Sequence, residues 1–285
     1  MSKLKVIQLL PELNYGGVER GTKDMSNALI SEGHKSIVIS NGGIFEKDII
    51  DNGAKHISLP IHKKSIFSLF LAKSLRRIYE DEKPDIIHVR SRIPAWINFF
   101  ACRKLLKKPI LISTFHGLYS KPIYSQIMTR VDHTIAISKT VKDYILNTYK
   151  FPENKISIIP RGCDMVYFNK NDVKPEWLKR WYKEYPQTMN KIILTLPTRI
   201  TKWKGVDNFI ELISRLDGNT FHGLIVGPTS KSKLRYLKSL KNKIRKLGIN
   251  DNVTFTGSRN DINNIYKTVS YTHLRAHETS IDLEC

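Results

Sequence analysis

The feature that most constrains this chain is a rhythm of short apolar runs, each closed by a loop or by residues at helical spacing. They fall at residues 5–10, 36–40, 56–59, 86–89, 111–115, 135–137 and 156–159, and again at 192–196, 221–226 and 253–255. Runs this short, separated by helix-length segments, predict parallel strands joined by helical crossovers. The expected fold is therefore α/β, with two doubly wound, Rossmann-like domains in tandem. Residues 1–165 form the first, 166–190 the connection with a helix near 175–185, and the βα pattern restarts at 191 in a second domain. Helices are expected at 18–33, ended by Gly33 where a helix terminus favours glycine, at 139–149 behind a Ser138 cap, and at 206–216. Two further helices, 65–79 and 234–247, are strongly basic.

Composition narrows the partners. The 285 residues are 41% hydrophobic, as in a globular protein, and 47 Lys and Arg against 26 Asp and Glu give a formal charge of +21. Such an excess draws nucleic acid, an anionic membrane surface or phosphorylated small molecules. No aromatic-interleaved basic motif or recognition-helix pattern accompanies it, so no nucleic-acid partner is expected. Cys102, Cys163 and Cys285 lie far apart and suggest neither a disulfide framework nor a zinc site, which fits a reducing cytoplasm. The first apolar run stops at Pro11, too short for a signal peptide, and no run approaches the ~18 residues a membrane span needs. A cytoplasmic location follows. Attachment to the inner face of the cytoplasmic membrane through the basic helix 65–79 stays open beside plain packing of that helix on the sheet.

Candidate chemistry gathers where strands end. After 192–196 comes Thr198-Arg199-Ile200-Thr201-Lys202-Trp203-Lys204-Gly205, a loop that feeds a helix. Arg199, Lys202, Lys204 and the free amides at the helix start would converge on an anion such as a phosphate. Gly16 and Gly17 occupy the first strand-to-helix turn, where a missing Cβ lets a bound group come close. His116 follows a strand in a loop, His88 sits inside one, and Arg161 and Gly227 each stand just beyond another.

Taken together in this order, the patches resemble the retaining glycosyltransferases of family 4 (group 1), with the two-domain GT-B architecture. Gly16-Gly17-Val18-Glu19-Arg20 is similar to that family's N-terminal turn, and Ile86-Ile87-His88-Val89 to its buried strand. Thr114-Phe115-His116-Gly117 resembles its active-site histidine loop, and Ile158-Ile159-Pro160-Arg161-Gly162-Cys163-Asp164 another of its signatures. Arg199 with Lys204-Gly205 matches its donor-diphosphate loop, and Gly223 to Gly227 a later strand of its donor domain. The resemblance implies transfer of a sugar, with retention, from a nucleotide-diphosphate sugar to a glycan or lipid-linked acceptor, in cell-envelope polysaccharide or lipopolysaccharide synthesis. In that reading Arg199 and Lys204 meet the departing diphosphate, Gly16 and Gly17 approach the same phosphates or the acceptor, and His116 lies near the reacting sugar. Since no Asp-x-Asp pair occurs, no metal or other cofactor is expected.

The chain departs from the family after Thr268. The Glu-x7-Glu motif expected beyond Gly257 is missing, and Glu278 and Glu284 have the wrong spacing. By this resemblance residues 191–268 are expected to be a partial second, nucleotide-sugar-binding domain, residues 269–285 a non-native tail, and the chain as written an inactive fragment. Two other readings remain: a basic nucleic-acid- or membrane-binding protein without catalysis, and a sugar-nucleotide epimerase of the same architecture.

Overall fold

The computed structural model describes residues 3–63, 65–119, 121–162, 165, 167–168, 173–269 and 271–272. Cys163, Asp164, Glu278 and Glu284, on which sequence readings fell, lie outside them. Two compact units divide at Gly162, the second spanning Cys163–Ser280.

The first unit runs β1 (Lys5–Leu9), α1 (Gly17–Ser31), β2 (Lys35–Ser40), α2 (Glu46–Asp51), β3 (Lys55–Ser58), α3 (Leu71–Glu82), β4 (Ile86–Val89), α4 (Arg92–Cys102), β5 (Ile110–Phe115), α5 (Pro122–Ser125), β6 (His133–Ala136), α6 (Lys139–Tyr149) and β7 (Ile156–Ile158). Its seven strands lie in the order β3-β2-β1-β4-β5-β6-β7, and all pair in parallel. Strands covered on both faces bury successive residues on opposite sides. Thus Ile37 and Ile39 join a core with α3, α4 and α6, while Val38 joins Leu10, Leu13 and Ile49 in a separate cluster. Ser138 caps α6 as expected, its Oγ accepting from Val141 N at 3.2 Å.

Two helices differ from the sequence reading. The basic helix expected at 65–79 begins as a 3₁₀ turn, Ile66–Phe70, and α3 then runs on to Glu82. It ends where Lys83 turns left-handed (φ 49°) ahead of Pro84. Ala72, Leu75 and Tyr79 form its buried stripe, while Lys73 and Arg77 face outward. The whole of α4 is an addition. Its sequence, Arg92-Ile93-Pro94-Ala95-Trp96-Ile97-Asn98-Phe99-Phe100-Ala101-Cys102, is apolar almost all round, and such a helix carries no stripe to reveal it. Asn98 is its one buried amide, taken up by Tyr79 Oη at 2.7 Å.

The second unit holds α7 (Pro175–Glu184), β8 (Ile192–Pro197), α8 (Val206–Ser214), β9 (Phe221–Val226), α9 (Leu234–Lys246), β10 (Val253–Gly257), α10 (Ile262–Thr268) and β11 (Tyr271–Thr272). The strand order is β10-β9-β8-β11, again parallel. Phe209, Ile210 and Ile213 of α8 and Leu240 and Ile244 of α9 cover one face. Gly223 lets α8 settle close, since a Cβ there would lie 2.7 Å from Ile213 Cγ1. The helix assigned by sequence to the connection belongs to this unit instead. Trp177 and Trp181 of α7 stack at 5.2 Å and pack with Ile193, Leu224, Val226 and Ile265. Their indoles are satisfied by Asp261 (2.8 Å) and Thr188 (3.1 Å). At the other edge Tyr271 and Thr272, within the stretch expected to be non-native, pair with Leu194 and Thr195 of β8.

Candidate active site

In the first sheet the chain lays β2 and β3 on one side of β1, then returns to place β4 on the other. With crossovers of one hand, this reversal leaves a crevice beyond the carboxyl ends of β1 and β4, the usual ligand position in such sheets.

Arg90 follows β4 there. Its backbone N–H donates to Leu9 O at 2.9 Å, extending the ladder to β1. Its side chain is folded inward, only 8% of the residue being exposed. Nη1 donates to Gln8 Oε1 at 3.0 Å, and Gln8 Nε2 in turn donates to Thr22 O in α1 at 3.2 Å. Among the described residues, Arg90 Nε has no partner. Burial, and then the Arg161 guanidinium, pull the Arg90 pKa down to about 10, opposed by Glu19 and Asp24.

His116 follows β5. Its Nδ1 lies 3.5 Å from Arg161 Nη2, a long approach in which arginine is the only possible donor. That assigns the ring proton to Nε2, which is buried and unpartnered among the described residues. Burial, followed by Arg90, Arg161 and His88, holds the His116 pKa well below 6.5, so the ring is neutral. Among the described residues, His116 Nε2 and Arg90 Nε are thus both buried without a partner. Buried polar atoms are almost always satisfied, so both nitrogens are candidates to meet oxygens of a bound group.

Arg161 comes from beyond β7 and reaches the start of α1. A Cβ on Gly17 would fall onto its Nη1, and one on Gly16 onto the Glu19 carboxylate. The glycine pair therefore makes room for two charged side chains at the helix start. His88 is otherwise engaged. It is buried within β4, Nε2 2.7 Å from Thr114 Oγ1, with its pKa lowered to about 3 by burial and then by Arg90.

In the second unit the loop after β8 is pinned to its neighbour strand. Thr198 N–H donates to Val226 O at 2.8 Å and Ile200 N–H to Pro228 O at 3.1 Å. Gly227, at φ 153°, permits this, because a Cβ would collide with the Thr198 carbonyl. Ile200 is buried as an anchor, while Arg199 and Lys202 are exposed. Lys204 Nζ stands 4.7 Å over the Trp203 ring, and Gly205, at φ 71°, turns the chain into α8. The structure thus groups Gly16, Gly17, His116 and Arg161 in one unit, and Arg199, Lys202, Lys204, Gly205 and Gly227 in the other. Arg90 escaped the sequence reading. The signal was its place directly after the buried run Ile86–Val89, in Arg90-Ser91-Arg92.

The model of Glycosyltransferase Family 4 matches residues 15–166, and that of Glycosyl transferases group 1 residues 179–277. An uncharacterized glycosyltransferase of Methanocaldococcus jannaschii is 26% identical over 243 residues, which are 74% of this chain and 59% of that protein. The chain thus spans less than two thirds of that relative's length. A crystal structure of a glycosyltransferase from Rickettsia africae superposes with a TM-score of 0.80 at 32% identity, over 94% of this chain and 72% of that one. Anabaena HepE, in complex with UDP and glucose, superposes with a TM-score of 0.76 at 17% identity, over 94% and 73% of the two chains. The chain belongs to glycosyltransferase family 4 and has the GT-B fold of a transferase.

Proposed function

We propose that this protein transfers a sugar, with retention, from a nucleotide-diphosphate sugar to a glycan or lipid-linked acceptor of the cell envelope. The reading is carried by the two unpartnered buried N–H groups of Arg90 and His116 at the reversal point of the first sheet. A sugar presents hydroxyl oxygens to such donors. The neutral His116 donates Nε2–H to one without adding a charge that would oppose an oxocarbenium-like transition state. Arg90 and Arg161 supply positive charge beside the start of α1, suited to an anionic group.

Arg199 and Lys204 are assigned to the donor diphosphate, together with the amides at the start of α8. As the anomeric C–O bond breaks, the electron pair leaves with the diphosphate, and the guanidinium and ammonium neutralise it without a divalent ion. Precedent for the donor class comes from HepE, whose structure contains UDP and glucose.

Calorimetric titration of UDP and GDP tests the assignment. Saturable binding is expected, undiminished by EDTA and about 10- to 100-fold weaker in Arg199→Ala or Lys204→Ala, as for loss of a charged hydrogen bond. Absence of nucleotide binding together with steeply salt-dependent retention of DNA would replace it with the basic-binder reading. The anomeric configuration of a transfer product, read by NMR, decides retention.

A further inference from the structure

A cavity of about 780 Å³ opens in the first unit next to the Arg90 crevice, walled by residues that follow the same strands: Pro11 after β1, and Ser91 and Arg92 after β4. Its size is that of a ligand site. Leu69, Ile93, Trp96 and Phe100 make the lining apolar. Trp96 lies nearly parallel to Phe100 (6.1 Å, 23°) and to Tyr124 (6.3 Å, 26°), forming a flat aromatic wall. Lys63, Arg92 and Lys121 also line the cavity, with no carboxylate among the described lining residues. His62 lines it too, and its buried Nδ1 has no partner among the described residues.

Arg92 connects this cavity to the catalytic loop. One guanidinium N–H donates to Ser125 Oγ at 3.2 Å, and the group lies over the rings of the cavity-lining Tyr124 (5.5 Å) and of Tyr119 (4.8 Å). Tyr119 is tied to the backbone of His116. Arg92 is thus held by Ser125, Tyr124 and Tyr119, the last of these in the loop that follows His116.

An apolar slot whose described lining carries only positive charges complements an apolar chain with an anionic head. A free oligosaccharide, whose hydroxyls need polar partners, would meet few of them along Leu69, Ile93 and Phe100. We propose that the cavity holds the apolar chain of a lipid-phosphate-linked acceptor, with Arg92 and His62 meeting the phosphate, so that the sugar end is directed toward His116. The proposal rests on the transferase reading and names the acceptor class of that enzyme. Sugar transfer would leave the lipid–phosphate bond intact, the acceptor hydroxyl oxygen forming the new glycosidic bond as its proton passes to the released nucleoside diphosphate.

The test is calorimetry on the full chain with farnesyl phosphate, farnesol and inorganic phosphate, each below its micelle concentration. Farnesyl phosphate is expected to bind at least tenfold more tightly than either fragment. Arg92→Gln should remove that advantage while leaving farnesol unchanged, and Phe100→Ser should weaken both prenyl probes. Near-UV circular dichroism checks folding, and Ile93→Ser replaces Phe100→Ser if the latter unfolds. Equal binding of phosphate and farnesyl phosphate, or an Arg92→Gln protein that still prefers the phosphate, overturns the proposal. So does binding to phosphatidylglycerol vesicles with none to the monomeric probe, which would indicate general membrane apposition. UDP is titrated in parallel: UDP binding without prenyl-phosphate binding removes only the acceptor assignment, and the converse removes the transferase reading on which it rests.

Discussion

In the first unit the cation nearest the strand ends is 8% exposed, tied to Gln8 and depressed to a pKa of about 10. In the second, Arg199 and Lys202 stand in water on a loop held by Ile200 and two backbone hydrogen bonds. Burying a guanidinium is costly, and the fold meets that cost before any ligand arrives. The exposed pair stays in water and costs almost nothing. In the proposed reading the first region positions a bound group and the second supplies charge to it. Changes in the first should therefore shift opposing stability terms and the His116 titration together, and changes in the second should register in binding alone.

Acid should separate the two regions most strongly. His88 and His116 are neutral in the folded first unit, whereas in the unfolded chain they take up protons below about pH 6.5. The unfolded state then binds more protons, so their contribution to stability is complete above that pH and declines as the pH drops toward the folded-state values. Among the described residues the second unit has one such group, His222, lowered to about 4 by burial and then by Lys191. Each histidine accounts for up to about 1.4 kcal/mol per pH unit. Hydrogen exchange at pH 7 and pH 5 is expected to show the first unit losing about twice as much protection free energy as the second. Equal losses would break the contrast.

Arg90→Met comes next. The shift from 12.5 to about 10 corresponds to about 3 kcal/mol of cost to the charged form, which the substitution removes. It also leaves Gln8 Oε1 buried without its donor, at about 1–3 kcal/mol. Urea unfolding should therefore change by less than about 2 kcal/mol in either direction. The His116 titration, followed by NMR, should move upward as a repelling charge is lost. A larger loss of stability would make Arg90 a structural tie.

Gly17→Ala is expected to alter stability by less than about 1 kcal/mol, since the gain from a stiffer unfolded chain offsets the displacement of Arg161. Here too the His116 titration should rise. Smallest of all, Arg199→Ala should leave the unfolding midpoint within about 0.5 kcal/mol of the parent protein while weakening UDP binding. A marked drop in stability would show that the loop depends on that side chain.

The sequence disclosed the strands well because parallel strands buried on both faces read as unbroken apolar runs, and it disclosed the α6 cap because Ser138 acts locally. It concealed α4, whose residues 93–102 bury nearly every face and so show no period. It also concealed the role of Arg90, since the acceptor that holds it inside, Gln8, is 82 positions away. The Trp177 and Trp181 pair, four residues apart, was a visible sign that α7 packs, but the charges around it read as a connection. The glycines at 16 and 17 were noticed for the right reason, a missing Cβ, although the neighbours they make room for are Glu19 and Arg161.

Gly227 carries a lesson for anyone hoping to move the charged loop into another scaffold. The bend at Thr198 exists because a strand some thirty positions downstream withholds a methyl group there. Transplanting residues 198–205 alone would import the cations and lose their aim, so the smallest portable cassette is discontinuous and must include the glycine.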